Sequence, residues 1–266
     1  MISPHSWRRA LRRVNIAGLL TIIVCLGLWE LAIRAGILRY QYLPAPSAIA
    51  AGAEELAARG ELSAAVLHTL EAVLLGWTIA TTLGVSFGLV LGSSQLARRY
   101  SLSTIEVLRP MPAIAFIPVA LLLFGFSTAT ELTVIVLPAL WPVLVGTMQS
   151  VMNIHPRLRD VARTFRLRRV PTMIKILLPA AAPGIMVGAR ISLTLALVLA
   201  VLAEMVGNPE GLGYGVVSEQ QALRPDLMFA YVVVIGFLGI ALNALLVGAL
   251  TGLSPATAAA LEGRSS

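Results

Sequence analysis

Residues Gly184–Val206 read GIMVGARISLTLALVLAVLAEMV, a run whose only charged residues are Arg190 and Glu204. A helix rises about 1.5 Å per residue, so about 20 apolar residues cross the ~30 Å hydrocarbon core of a bilayer. That core holds no water to pair with backbone N–H and C=O groups, and a helix satisfies them within its own segment. The run is read as a transmembrane helix. Five more runs of this kind surround it: Asn15–Ile37, Leu70–Leu91, Leu108–Phe126, Leu132–Ser150 and Met228–Gly252. Together they predict an all-α membrane protein, a six-helix bundle over residues 15–252 with tails at 1–14 and 253–266. Composition points the same way. Of 266 residues, 58% are hydrophobic and 12% charged, where soluble domains carry about a quarter charged residues. The mean hydropathy is +0.86.

Pro112, Pro118, Pro138 and Pro142 interrupt the third and fourth runs. They read either as kinks, since neighbouring helices re-satisfy the freed backbone groups, or as moving points of a gate. The first run follows Arg8, Arg9, Arg12 and Arg13. It is longer than the apolar core of a signal peptide and lacks a small-residue cleavage site, so it reads as a retained helix. The single cysteine, Cys25, excludes an intramolecular disulfide and reads as a small packing residue.

The net charge of +7 is not spread as a nucleic-acid patch; it alternates from loop to loop. Thirteen of the twenty basic residues fall in three segments: the N-terminal tail, the Arg98-Arg99 loop, and the loop holding Arg157, Arg159, Arg163, Arg166, Arg168, Arg169 and Lys175. The intervening loops pair Arg39 and Arg59 with Glu54, Glu55 and Glu61, and Arg224 with Glu210, Glu219 and Asp226. The excess of Arg and Lys on cytoplasmic loops makes both termini cytoplasmic. In the first outer loop, Leu43-Pro44-Ala45-Pro46-Ser47 reads as a turn, with Ser47 as N-cap of a helix to about Ala58 and Gly60 at its end.

Enzymatic constellations are missing. His5, His68 and His155 are scattered, with no HExxH or other metal-ligand spacing, and there is no GxSxG elbow. The only lysine, Lys175, follows Ile174 and so cannot complete a phosphate-cradling GxxxxGK[ST] loop. No cofactor or metal is expected in this chain; if ATP drives it, another chain binds the nucleotide. Ionisable residues in a membrane are costly and functional by default. Here Glu30, Arg34, Glu71, Arg109, Glu131 and Arg190 read as lying near span ends, and Asn243 as a polar exception inside the sixth helix. Glu204, near the outer end of the fifth, reads either as a partner for loop backbone or as a pathway or gate residue.

The loop over residues 151–179 demands its own account. Pro156 suits a first helical position, and Leu158, Val161, Ala162 and Phe165 recur at helical spacing. A break is expected over Leu167–Val170, because the residue before Pro171 disfavours helix, and a second short helix from Pro171 should end or bend at Pro179. This is a helix–turn–helix elbow on the cytoplasmic surface. Its arginines and apolar ridge suit either docking to a protein or anchoring to anionic lipid.

The elbow resembles a known family. Asp160-Val161-Ala162, three residues, Arg166, nine residues, then Ile176-Leu177-Leu178-Pro179 is similar to the EAA motif (E-A-A, three residues, G, nine residues, I-x-L-P) of permease subunits in binding-protein-dependent ABC importers. Further stretches resemble the sulfonate, taurine and nitrate-type permeases: Trp29-Glu30, Leu43-Pro44-Ala45-Pro46-Ser47, Leu74-Leu75-Gly76-Trp77, Arg109-Pro110-Met111-Pro112, Pro118, Phe124-Gly125, Pro156-Arg157-Leu158 and Gly211-Leu212-Gly213-Tyr214. The resemblance implies a type I importer permease in a prokaryotic inner membrane. It implies that Asp160, Val161, Ala162, Arg166, Ile176, Leu178 and Pro179 belong to a coupling elbow seated on a separate ABC ATPase, two copies of which hold ATP and Mg²⁺. It also implies a homodimer, or a pairing with a related permease, and a periplasmic or lipid-anchored solute-binding protein. The rival readings are a secondary transporter or channel working without an ATPase, and a membrane scaffold or assembly factor. Two positions depart from the family pattern. Asp160 stands for Glu, and Arg166 stands for a Gly where the first short helix ends, a place that often needs positive φ.

Overall fold

A computed structural model describes residues 16–38 and 40–253, with backbone only at 16, 17, 159, 161, 163, 169 and 250–253. Arg39 and the two expected tails lie outside that description, apart from Leu253, which closes the last helix. The described residues contain no strand. In chain order they form α1 (Ile16–Arg34), α2 (Pro46–Ala58), α3 (Glu61–Ser93), α4 (Gln95–Leu108), a 3₁₀ turn (Ala113–Phe116), α5 (Ile117–Phe124), α6 (Thr128–Met152), α7 (Pro156–Thr164), α8 (Arg169–Thr172), a π turn (Met173–Leu177), α9 (Leu178–Gly207), α10 (Gly211–Gln221) and α11 (Pro225–Leu253).

The core is the seam where α6 lies between α3 and α9. Lipid tails are as apolar as Leu, so helices in a membrane gain little from burying apolar surface and hold together by close approach. Small residues permit that approach. Gly84, Gly88 and Gly92 of α3 face Val143, Thr147 and Val151 of α6, and a Cβ on Gly88 would stand 2.5 Å from Thr147 Cβ and 2.8 Å from the Leu144 carbonyl oxygen. Val73, Ala80, Ile135, Ala139, Leu144, Ala196 and Ala200 fill the seam. A second apolar cluster, Ile49, Leu56, Leu212, Leu227 and Tyr231, joins α2, α10 and α11. Large apolar side chains also point outward, among them Leu28, Phe87, Leu122 and Ile240; Cys25 is exposed on α1 rather than packed.

Among the described residues, four helical stretches are long and apolar enough to cross a membrane: Glu61–Ser93, Thr128–Met152, Val170–Gly207 and Pro225–Ala249. A fifth crossing exists if Gln95–Leu108 and Ala113–Phe124, bent by 85° at their junction, count as one broken span. This corrects the third expected span. Leu108–Phe126 is not one helix: Pro110 and Pro112 each lack the N–H that would continue it, and Pro112 disfavours helix in Met111 before it, whereas Arg109 keeps helical angles as the cap of α4. Pro118 does no such damage, since it sits in the first turn of α5, and α6 continues through Pro138 and Pro142.

The outer loop differs in detail from expectation. Ala45, not Ser47, precedes α2 as its N-cap. The Ser47 hydroxyl instead donates to Glu30 Oε1 at 2.7 Å and its N–H donates to Glu30 Oε2 at 3.0 Å, pinning the end of α1 to the start of α2. Gly60 turns the chain from α2 into α3 at φ 75. Arg224 Nη2 meets Glu55 Oε2 at 2.9 Å and Asp226 Oδ2 at 3.0 Å, joining α2 to α11. Those hydrogen bonds, Asp226 first and Glu55 second, push the guanidinium further above its ordinary pKa.

Candidate functional sites at the two ends of α9

At one end of α9 lies the elbow. α7 closes with the Leu167 N–H donating to the Ala162 carbonyl at 3.0 Å and Arg166 at φ 49. This is the hydrogen bond of a Schellman C-cap, in which the residue just past the helix adopts the left-handed region. Glycine does so freely; an L side chain pays for the contact between its Cβ and the carbonyl. Of the face Leu158, Ala162 and Phe165, Ala162 is covered (5% exposed), while Leu158 and Phe165 are 41% and 72% exposed. Asp160 and Arg166 are exposed, and the side chain of Val161 lies outside the described set.

The second half of the elbow departs from the expected separate helix. From Val170 the chain is helical without interruption to Gly207, 38 residues in all. Pro179 neither ends nor breaks it. Proline's ring clashes with the carbonyl four residues earlier, here Lys175, and that residue falls in the π turn. A π turn widens the backbone by one residue and moves the carbonyl away. Ile176 and Leu178 are half-buried and Pro179 is exposed. Between them Leu177 packs with Val151, Ile154 and Ala181 against the end of α6.

The other end of α9 holds a polar cluster. Glu204 and Glu131 of α6 are each 1% exposed. Glu204 Oε2 accepts the Gly213 N–H at 2.8 Å, so the carboxylate serves loop backbone at the start of α10. Gly211, at φ 90, lies directly against the Glu204 carboxylate, where a Cβ would overlap it. The Thr69 hydroxyl oxygen accepts the Leu212 N–H at 2.9 Å. His68 of α3 stands between two acids, with Nε2 3.1 Å from Glu131 Oε1 and Nδ1 3.1 Å from Glu210 Oε2. The Asn208 amide nitrogen is 2.5 Å from Glu131 Oε1 and 3.2 Å from His68 Nε2. Glu131 Oε2 and Glu204 Oε1 are buried without a hydrogen-bond partner. His68, Glu131 and Glu204 each offer one ligand atom, all within 4.8 Å of one another. A cavity of about 610 Å³, bordered by Arg59, Glu61, His68, Glu210, Tyr214 and Glu219, opens beside the cluster. Burial, first among the causes, raises the Glu219 carboxyl above its ordinary value.

A third polar feature lies between the two ends. Arg190 is exposed on α9, and its Nε donates to Asn243 Oδ1 of α11 at 2.8 Å. It stands about 21 Å along the helix from Glu204 and about 17 Å from Pro179 at 1.5 Å per residue. The sequence placed it near a span end; the extension of the helix back to Val170 puts it in mid-helix instead.

The family model for the "Binding-protein-dependent transport system inner membrane component" matches residues 80–258, from the middle of α3 past the end of α11. The chain belongs to this family. It is the inner-membrane permease subunit of a binding-protein-dependent ABC importer. Among curated relatives, one from Bacillus subtilis (strain 168), named as an aliphatic sulfonates transport permease, SsuC, is 29% identical over 84% of this chain and 80% of its own length. Its namesake in Escherichia coli (strain K12) is 30% identical over 79% of this chain and 80% of its own. The nitrate import permease protein NrtB of Leptolyngbya laminosa is 30% identical over 68% and 64%. A crystal structure of an amino acid ABC transporter with histidines superposes with a TM-score of 0.58 over 75% of this chain and 95% of that chain. At 15% identity that likeness is one of fold.

Proposed function

We propose that this permease imports a small anion of the sulfonate or nitrate type, and that a separate ATPase drives it by docking on the elbow formed by α7 and the start of the α8–α9 helix. The observation that carries the coupling is the unbroken helix from Val170 to Gly207. It joins the elbow to the Glu131–Glu204 end directly, over about 55 Å, so a displacement at one end is felt at the other without passing through a loop. Exposed Leu158, Phe165, Val170 and Ile174 offer an apolar docking surface at the elbow, and the arginines around them suit an acidic rim. The same arginines support a cytoplasmic elbow and an external Glu204 end. With α1 and the bent α4–α5 pair taken as crossings, the chain spans six times.

The relatives' names and Arg190 together support an anionic solute. A guanidinium facing lipid in mid-membrane costs about 2.5–3.5 kcal/mol or more, so intramembrane arginines face protein or water. With Nε held by Asn243, the remaining N–H groups of Arg190 are directed to whatever lies along that face. Two copies of the chain place such faces along a shared path. A solute-binding protein delivers the anion from outside. ATP and Mg²⁺ bind between the two ATPase subunits, and their closure shifts the permease pair between inward- and outward-facing populations. This chain performs no covalent step.

Co-expression with its ATPase tests the coupling. Ala162→Glu forces a charge into a covered position of the elbow, and loss of ATPase co-purification together with ATP-driven uptake into proteoliposomes is expected. Normal co-purification with undiminished uptake would remove the elbow from the drive.

A further inference from the structure

We propose that His68, Glu131, Asn208 and Glu204 form a binding site for a divalent transition-metal ion, Zn²⁺ foremost, that ties α3, α6 and α9 together at one end of the bundle. The motive is an arrangement that hydrogen bonds alone leave unresolved. Asn208 lies within 3.2 Å of both His68 Nε2 and Glu131 Oε1. If its NH₂ faces them, it donates to Glu131 Oε1, and His68 Nε2 either donates to the same oxygen 3.1 Å away or accepts from the amide. If its carbonyl oxygen faces them, two acceptors oppose each other at 2.5 Å. Which atom of the amide faces inward is a matter of assignment from the network, and neither assignment supplies a donor to Glu131 Oε2. Two further carboxylate oxygens, Glu131 Oε2 and Glu204 Oε1, are buried without a hydrogen bond of ordinary geometry, although the Thr69 hydroxyl lies beside the Glu204 carboxylate.

A cation gives four of these acceptors a common partner. With the amide oxygen turned inward, Asn208 Oδ1, His68 Nε2 and Glu131 Oε1 become three acceptors at mutual separations of 2.5–3.2 Å. Bonds of about 2.0–2.2 Å to Zn²⁺ in tetrahedral geometry set ligand–ligand edges near 3.4 Å, so the triangle is already nearly that of a coordination face. Glu204 supplies the fourth ligand through the unpartnered Oε1 while Oε2 keeps the Gly213 N–H. One Glu204 carboxylate oxygen lies within 4.8 Å of ligand atoms of His68 and Glu131, so a closure of at most about 1.4 Å brings it to that edge from either. The outer contact of His68 is also the one a metal-binding imidazole needs. Nδ1 faces Glu210 Oε2 at 3.1 Å, and a metal-ligating histidine generally donates its other N–H to a carboxylate, which fixes the tautomer and strengthens the ligand. One imidazole, two carboxylates and an amide oxygen suit Zn²⁺ or Mn²⁺ better than Ca²⁺, which takes six to eight oxygens. Two carboxylates against one neutral imidazole leave a charge of −2 that the ion balances, in a site whose entry is the cavity beside His68 and Glu210.

The test uses the full-length permease in lipid nanodiscs, stripped with EDTA, dialysed against Zn²⁺ alone and washed. About one Zn²⁺ per chain by mass spectrometry of the metal is expected, with a melting temperature higher than that of the stripped protein. His68→Gln and Glu131→Gln should each weaken binding at least tenfold. Should either fail to fold, Asn208→Asp, which adds an anionic oxygen in place of the amide, should hold Zn²⁺ at least as tightly as the wild type, and Asn208→Leu less tightly. No stoichiometric Zn²⁺ in the wild type, or binding unchanged in His68→Gln, Glu131→Gln and Asn208→Leu alike, would overturn the site.

Discussion

Gly88→Ala measures how much of this fold rests on backbone approach between α3 and α6. The added Cβ meets Thr147 Cβ at 2.5 Å and the Leu144 carbonyl oxygen at 2.8 Å, where carbon atoms rest about 3.5–4.0 Å apart. Neither neighbour is the free end of a flexible side chain, so the helices must part by about 1 Å. A gap of that size forfeits a quarter to a half of the dispersion well at each opposed pair, and Gly84–Val143 and Gly92–Val151 lie on the same seam. Overpacking of this kind costs about 1–3 kcal/mol. The exchange of Gly for Ala also gains up to about 1 kcal/mol of helix propensity, which masks part of the loss. Gly236→Ala cancels that gain, because Gly236 of α11 has nothing within 4 Å of the added Cβ. The difference between the two variants is then the packing cost. At about 2–4 °C per kcal/mol for a chain of this size, Gly88→Ala should melt about 2–12 °C below Gly236→Ala in the same lipid nanodiscs. If the two melt together, α3 and α6 are not held at backbone distance and the core described above is wrong.

Two more predictions address the elbow and the path. Arg166→Gly removes a left-handed L residue worth about 1 kcal/mol of strain, so exchange of the Leu167 amide, bonded to the Ala162 carbonyl, should slow by up to about fivefold; faster exchange would mean that the turn carries no strain there. Arg190→Gln should cut ATP-driven uptake of a sulfonate or nitrate at least tenfold without loss of ATPase co-purification, Arg190→Lys should restore part of it, and undiminished uptake in the glutamine variant would take Arg190 off the solute's route.

The long apolar runs around Val73, Leu144 and Leu199 announced α3, α6 and α9 because hydropathy is a local property, and the bilayer converts it to helix without help from tertiary context. The end of α7 was legible too, since the proline pair Pro156 and Pro171 brackets it and the family resemblance implied a turn at Arg166. Proline misled in both directions elsewhere. Pro110 and Pro112 split a run that hydropathy joined, whereas Pro179 was passed by a π turn that no local pattern encodes. Ser47 had the chemistry of a cap and spent it on Glu30, seventeen residues earlier. The polar cluster is invisible to spacing along the chain for a related reason, because His68, Glu131, Glu204 and Asn208 come from α3, α6, α9 and the loop after it. Only the packing of the three helices brings them together. A usable signal was present in each residue separately, as a polar side chain at the edge of an apolar run.

The two ends of α9 constrain where motion takes place. Between them α9 is itself in backbone contact with α6, for a Cβ on Gly188 would lie 2.7 Å from the Pro142 carbonyl oxygen. α3, α6 and α9 are therefore interlocked along their lengths, and packed interfaces of this kind resist continuous deformation and move as units. Under the proposed coupling, a push at the elbow enters such a unit through Leu177, which is seated against Val151 and Ile154, rather than through a hinge. The proposed cation at the far end would lock the same three helices once more. Under the proposed coupling, the displacement that opens and closes the path then falls between copies of this unit, and the parts free to accommodate it are the ones that touch the unit least: the outward-facing α1 and the bent junction at Arg109–Pro112.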